Sequence, residues 1–402
     1  MREAYIVTSL RTPGCRRGKG AFAQTRPEDL LKTVMNAVVE QTGLEKQAVE
    51  DVMIGCAFPE AEQGLNIGRI IAQMAGFPDT TTGATVNRFC SSGLEAIALQ
   101  AMRIKSGMCD VAIGGGIESM TIVPMGGNLP RPHPEMAKEN PDVYISMGAT
   151  AENVANRYNI TREMQDEFAY HSQMKAANAK EKGLYKELVP TPATKWVEDA
   201  DGNWAPKTWN QDFDDGIREA TTLEGLGKLR PAFAANGSVT AGNSSQTTDG
   251  AAATLIMSEE AVKKYNVKPV ARLVCYTVAG VRADEMGVGP AYAIPKVLKM
   301  AGKNVEDIGI FEVNEAFASQ AIYSLQQLGM YDDKSLWASD SDKRIVNVNG
   351  GAIALGHPLG CTGAKLCSQL MTEMQARGAK YGVESMCIGG GMGAAGLFEL
   401  MD

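Results

Sequence analysis

The 402-residue sequence has only three histidines, no two cysteines spaced C-x-x-C, and no apolar run near the ~20 residues a membrane-crossing helix needs. The first two shortages exclude the usual structural zinc sites, and no metal is expected. The third excludes an evident membrane span. Basic residues are outnumbered, 39 Lys and Arg against 47 Asp and Glu, for a net charge of −8. The basic face of a nucleic-acid binder is therefore missing. The one dense basic run, Arg16–Arg17–Gly18–Lys19, is short. It fits a solvated loop, or a contact to an anionic ligand or a neighbouring subunit. The opening stretch MREAYIVTSLRTP lacks the apolar core and small-residue cleavage site of a secretory signal, so a cytoplasmic protein is expected.

What is present is an ordinary globular composition, 44% hydrophobic and 21% charged, with 43 glycines. The length exceeds what one hydrophobic core supports and predicts two halves. Apolar β-branched runs alternate with helical patterns, which argues for α/β layers. Eight cysteines are scattered along the chain. The default for each is a reduced, buried small hydrophobe.

The chain also repeats itself. VEDVMIGCAFPEA at 49–61 matches VEDIGIFEVNEAF at 305–317, and AIGGGIESM at 112–120 matches CIGGGMGAA at 387–395. In the first copy CSSG at 90–93 lies between the two motifs, and in the second HPLG at 357–360 does, so the matches keep the same order. A duplicated fold is predicted, with halves at 1–120 and 251–402. Residues 121–250 are an inserted loop domain, taken to lie over the first half. It contains a helix capped at Thr161 and a polar, aromatic stretch, KWVEDADGNWAPKTWNQDFDDG, read as surface loops.

In TVNRFCSSGLEAIALQAM, Cys90 stands where a strand gives way to a largely apolar helix. Free N–H groups and the dipole at a helix start favour an anion, which predicts a thiol of lowered pKa. Cys90 can equally be a small residue filling a strand–helix corner. His357 occupies the twin position, after a strand expected at about 345–349 and before a helix expected from about Leu359. A Cys–His pair brought together by the duplication would make an activated nucleophile. His133 reads as a loop residue and His171 as a helix-surface residue. Cys387 precedes a triple-glycine turn at 389–391 that exposes a thiol and backbone amides. Asn314, between a strand and a helix, fits either a cap or a group that positions a water or a loop.

Together NRFCSSG, MGATAENVA, REMQDEFA, LRPAF, VTAGNSSQTTDGAAA, MGVGP, NEAF, GHPLGCTGA and CIGGGMG span almost the whole chain. In this order they resemble the thiolase family. The resemblance implies a duplicated α/β thiolase-like fold of five layers, αβαβα, with an inserted loop domain. It implies cleavage of 3-ketoacyl-CoA by CoA, or the reverse Claisen condensation, in fatty-acid β-oxidation. By motif position Cys90 is the acylated nucleophile, His357 its activator and Cys387 the acid/base for the α-carbon of acetyl-CoA. Asn314 would hold a water completing an oxyanion hole with His357, and the amides of Cys90 and Gly389 would form the other. Ser245 matches the pantetheine-binding position, and Arg218 falls near the adenine-stacking position. Met147, Met286, Ala316 and Phe317 would line the acyl pocket. Coenzyme A and acyl-CoA are substrates, with no cofactor held permanently. The expected assembly is a homodimer or homotetramer, with a β-oxidation partner subunit as a further option.

Short-chain, acetoacetyl-specific members usually carry His where Ser146 stands, and read GHPIGASG where this chain has GHPLGCTG. Both departures point toward the degradative 3-ketoacyl-CoA thiolases. An acetyl-CoA acetyltransferase of narrow range is the alternative. A decarboxylating ketoacyl synthase would use Cys–His–His, which Cys387 opposes. A non-catalytic scaffold subunit would have lost one of Cys90, Asn314, His357 or Cys387.

Overall fold

The structure, a computed structural model, describes residues 2–401. Its strands are β1 (Ala4–Arg11), β2 (Cys15–Arg16), β3 (Asp51–Gly55), β4 (Thr82–Val86), β5 (Val111–Ser119), β6 (Thr191–Glu198), β7 (Trp204–Gln211), β8 (Thr248–Ser258), β9 (Ala271–Gly280), β10 (Ile310–Val313), β11 (Tyr381–Ile388) and β12 (Met392–Leu400). All but the β6–β7 hairpin join one sheet in the order β10-β11-β12-β9-β1-β8-β5-β3-β4, with β2 against β8.

That order reads the same from both ends of its centre. β1 pairs antiparallel with β8, β8 antiparallel with β5, and β5 parallel with β3. In the second half β9, β12, β11 and β10 follow the same sequence of senses. The halves meet where Tyr5 and Ile6 of β1 pair with Arg272 and Ala271 of β9. Of the repeated motifs, 51–55 and 310–313 form the matching strands β3 and β10; the glycine-rich segment at 112–120 lies in β5, whereas its match at 387–395 ends β11, turns at 389–391 and opens β12. β8 straddles the boundary expected at 250 and lies wholly with the first half's strands.

Layering follows from where the apolar faces go. Helices Ser92–Lys105 and Thr362–Arg377 lie between the half-sheets, where Leu94, Ile97, Leu366 and Leu370 share a core with Ile256, Ile310 and Met386. Helix Pro27–Thr42 packs Leu30, Val34 and Val38 on the outer face of the first half-sheet. Helices Gly289–Ala301 and Ala318–Gln327 cover the second with Val297 and Ile322. Each fully buried aliphatic side chain in these interfaces contributes about 1.5–3 kcal/mol. The two central helices touch backbone to backbone at their starts. A Cβ on Gly93 would lie 2.5 Å from the amide nitrogen of Ala364, and one on Gly363 2.3 Å from that of Leu94.

Three expectations are corrected. The inserted segment does not lie only over the first half. Its helices Met147–Arg157 and Arg162–Glu181 bury Val154 and Phe168 in the second half's outer core, because their apolar faces meet Ile322 and Trp337 there. The stretch read as loops is the β6–β7 hairpin, whose bend is fixed by Asp199 accepting from the amides of Asp201 (2.9 Å) and Asn203 (2.8 Å). The strand expected at 345–349 shrinks to a single parallel bridge between Val346 and Phe311. Among the described residues, no helix is long and apolar enough to cross a membrane.

Candidate active site

Cys90 sits in a short 3-10 turn, Phe89–Ser91, that runs into helix Ser92–Lys105. Phe89 is held at φ +42°, a costly conformation for a side-chain-bearing residue. Its neighbours leave it little choice. The Phe89 amide donates to Asn87 Oδ1 (2.8 Å), and its carbonyl accepts from Ser92 Oγ (2.7 Å), which itself accepts from the Arg88 amide (2.8 Å). The turn is thus locked and presents the thiol at the helix start. The amides of Gly389 and of Cys90 itself donate to the sulfur, yet burial outweighs them and pushes the Cys90 thiol up to about 12. The expected acidic thiol is therefore corrected: burial among Ala57, Met120 and Leu359 desolvates the sulfur, and Cys90 rests as a neutral thiol that needs a base.

The twin turn, Leu359–Cys361, leads into helix Thr362–Arg377, and His357 precedes it. Gly356 before it has φ +83°, and a Cβ there would lie 2.2 Å from Thr248 Oγ1. The His357 amide donates to the carbonyl of Gln246 and to Thr248 Oγ1, each at 3.1 Å. On the ring, Nδ1 lies 2.5 Å from Thr362 Oγ1. The single Thr362 hydroxyl proton goes to the carbonyl of Pro358 (2.9 Å), so Oγ1 must accept from Nδ1–H. That fixes the tautomer and leaves Nε2 unprotonated, its lone pair accepting from Asn314 Nδ2 at 3.4 Å. Burial, helped by Lys365, holds the imidazole down to about 3, so it rests neutral.

Asn314 is fully buried, and its Oδ1 meets no donor among the described residues. Its backbone amide donates to Ser385 of β11 (2.9 Å), tying its loop to the strand that carries Cys387. Cys387 lies among Ala151, Val239, Met286, Ala316 and Phe317. Burial and, next, the nearby Cys90 raise its pKa, which places the two sulfurs within electrostatic reach of each other.

Cys90 and His357 line a cavity of about 230 Å³ together with Ser245, Met147, Met286, Ala316, Phe317 and Ser146; Asn314 and Cys387 do not line it, and Cys387 packs behind its apolar wall. The segment 244–248 stitches the loops together: the Ser245 amide donates to the Ala316 carbonyl (2.9 Å), and Thr247 bridges to His357. Arg218 is exposed and lies outside the cavity; its amide donates to Gln173 Oε1 (2.8 Å). His133 caps an exposed short helix, and Arg17 and Lys19 are exposed. His171, expected on a helix surface, is half-buried because Nδ1 bonds Ser339 Oγ (2.8 Å) and the ring meets Trp337 edge-on.

Sequence reading missed two groups. Thr362, five residues after His357 inside the quoted GHPLGCTGA, orients the imidazole. Glu118, fully buried on β5, accepts from the amides of Ala57 and Gly360, each at 2.8 Å. It clasps the two halves beside the cavity. Its place in the repeated I-G-G-G segment was the available signal.

Fold and site together define a duplicated α/β protein with a thiol at one central helix start and an imidazole at its twin. Family models described as "Thiolase, N-terminal domain" and "Thiolase, C-terminal domain" match residues 4–260 and 267–400. The chain belongs to the thiolase family. It is similar to a 3-ketoacyl-CoA thiolase of Bacillus subtilis, 48% identical over 401 residues covering 100% of both chains. It is also similar to the human peroxisomal 3-ketoacyl-CoA thiolase, 45% identical across 99% of this chain and 91% of that one. Among solved structures, the dimeric peroxisomal thiolase of Saccharomyces cerevisiae superposes with a TM-score of 0.85 at 38% identity, covering 100% of this chain and 98% of the other. The acetyl-CoA acetyltransferase of Bacillus anthracis gives 0.87 at 38% identity, covering 100% and 99%.

Proposed function

We propose that this chain cleaves 3-ketoacyl-CoA with CoA, giving acyl-CoA and acetyl-CoA, and runs the reverse condensation, as a step of fatty-acid β-oxidation. The observation that carries the reading is the shared cavity: Cys90 from one half and His357 from the other line it, with Cys387 against its apolar wall.

His357 Nε2 takes the Cys90 proton as the sulfur attacks the 3-keto carbon. The tetrahedral oxyanion is met by preorganised donors, each worth about 3 kcal/mol in such holes. The amides of Cys90 and Gly389 form one hole. A water on the free Asn314 Oδ1 would complete the other with His357. The bond between C2 and C3 breaks, and its electron pair enters the acetyl-CoA enolate. Cys387 S–H protonates that carbon and acetyl-CoA leaves. CoA then enters, loses its thiol proton to the Cys387 thiolate and attacks the acyl-Cys90 thioester. Cys90 departs and regains its proton from His357. CoA and acyl-CoA come and go as substrates, and the scheme uses no resident cofactor.

Ser245 would face the pantetheine arm and the exposed Arg218 the adenine. Met147, Met286, Ala316 and Phe317 would contact the acyl chain. Ser146 on the cavity wall leaves more room than a His and supports the broad-range reading over the acetoacetyl-specific one. We place the chain in the cytoplasm, as a homodimer joined through the free edge of β4. Thiolysis rates over 3-ketoacyl-CoA substrates of short to long acyl chain test the range. Turnover of acetoacetyl-CoA alone would return the narrow-range alternative.

A further inference from the structure

Gln320 stands near the start of helix Ala318–Gln327 and is fully buried. Its carboxamide lies 3.2 Å from Cys387 Sγ. Which end of the amide meets the sulfur is decided by its other neighbours. With the oxygen toward Cys387, that oxygen also faces the Asn314 carbonyl and the NH2 faces the Ala321 amide, two contacts of like polarity. Turned over, the oxygen accepts from the Ala321 amide (2.6 Å) and the nitrogen donates to the Asn314 carbonyl (3.0 Å). This orientation leaves the second N–H of the same nitrogen for the sulfur.

Besides Cys90 and its own backbone amide, the sulfur's neighbours are the apolar Met286, Ala316, Phe317, Ala151 and Val239. A thiolate formed there needs a donor, and a charge-assisted bond from an oriented amide is a strong one. Space for the side chain comes from the MGVGP motif: a Cβ on Gly287 would lie 2.7 Å from Gln320 Cβ.

We propose that Gln320 is a positioning residue for proton transfer: its N–H, fixed by the Asn314 carbonyl and the Ala321 amide, holds the Cys387 sulfur as an acceptor and stabilises its thiolate. The inference rests on the reading of Cys387 as acid/base. In the condensation direction the thiolate removes a proton from the α-carbon of acetyl-CoA. The C–H bond breaks, the S–H bond forms, and the electron pair moves to the thioester oxygen as an enolate. The same amide ties Cys387 to Asn314, whose side chain touches His357, so both proton carriers are braced by one loop.

The test compares Gln320→Met and Gln320→Glu with wild type in the full-length protein. Both are close in shape to Gln, and the Glu variant keeps the oxygen that accepts from Ala321. Two half-reactions are followed: deuterium exchange at the α-carbon of acetyl-CoA, across pH, and acetylation of Cys90. Loss of a hydrogen bond to a charged group slows exchange about 10- to 100-fold and shifts the rising limb of its pH profile upward. Cys90 acetylation stays near wild type. Exchange at the wild-type rate with an unmoved profile in a folded variant overturns the proposal, as does an equal fall in both half-reactions. Cys387→Ala is the control. If it still exchanges, the acid/base reading itself fails; if it loses exchange while Gln320→Met does not, only the role of Gln320 fails.

Discussion

Replacing Thr362 by Val keeps the shape of the side chain and removes the acceptor that faces His357 Nδ1. In the wild type that contact is 2.5 Å, and the hydroxyl is oriented by its bond to the Pro358 carbonyl at 2.9 Å. Without it the Nδ1–H is buried and unpaired, a penalty of about 1–3 kcal/mol. The ring can escape by moving its proton to Nε2, which then has no lone pair to receive the Cys90 proton. Either way the competent tautomer is disfavoured by that amount, and acylation slows about 5- to 150-fold. KM for the acyl-CoA should change little, since Thr362 lies behind the ring. Thr362→Ser restores the acceptor and should restore most of the rate. Rapid-quench acetylation of Cys90 gives the rate, and 15N shifts of His357 in a chain with three histidines give the tautomer. Wild-type acylation in Thr362→Val with Nδ1 still protonated would refute the argument, as would a serine variant as slow as the valine.

Other consequences can be checked singly. With Cys90 pushed up to about 12 and His357 held down to about 3, neither is ionised near neutrality. The thiolate fraction grows only as pH climbs toward the raised value, so iodoacetamide alkylation of Cys90 should rise about tenfold per pH unit without a neutral plateau; a plateau with a midpoint near neutrality would show a preformed thiolate–imidazolium pair. Arg11 is buried with Asp214 (2.7 and 3.0 Å) and Glu187 (3.0 Å), so Asp214→Asn should destabilise by about 3–5 kcal/mol in a urea titration. An unchanged midpoint would remove this network from the account. Gly93→Ala forces a methyl to within 2.5 Å of the Ala364 amide and should cost about 1–3 kcal/mol while lowering acylation, because the central helix starts are pushed apart. Full activity and stability in that variant would contradict the close contact.

The sequence carried the architecture because duplication leaves a readable trace. V-E-D at 49–51 and 305–307 marked the strands β3 and β10, and the two triple-glycine segments marked β5 and the turn between β11 and β12. Cys90 and His357 were legible because a reactive group at a helix start needs small or turn-forming neighbours, Ser91 and Gly93 in one copy, Gly356 and Pro358 in the other. What stayed hidden depends on contacts made only in the folded chain. The raised pKa of Cys90 comes from burial that no local window records. The inserted helices sit against Ile322 and Trp337, more than a hundred residues onward. Thr362 and Gln320 looked like an ordinary helix start and an ordinary helix interior, because their meaning lies in the groups they touch.

The account's central claim is a division of labour between two sulfurs, and it is tested most directly by locating the acyl group. Wild type and Cys387→Ala are mixed with acetyl-CoA, quenched in acid, digested and read by mass spectrometry. The account predicts acetyl on the Cys90 peptide in both proteins and none on Cys387. Acetyl on Cys387, or an unmodified Cys90 in the Cys387→Ala protein, would contradict it.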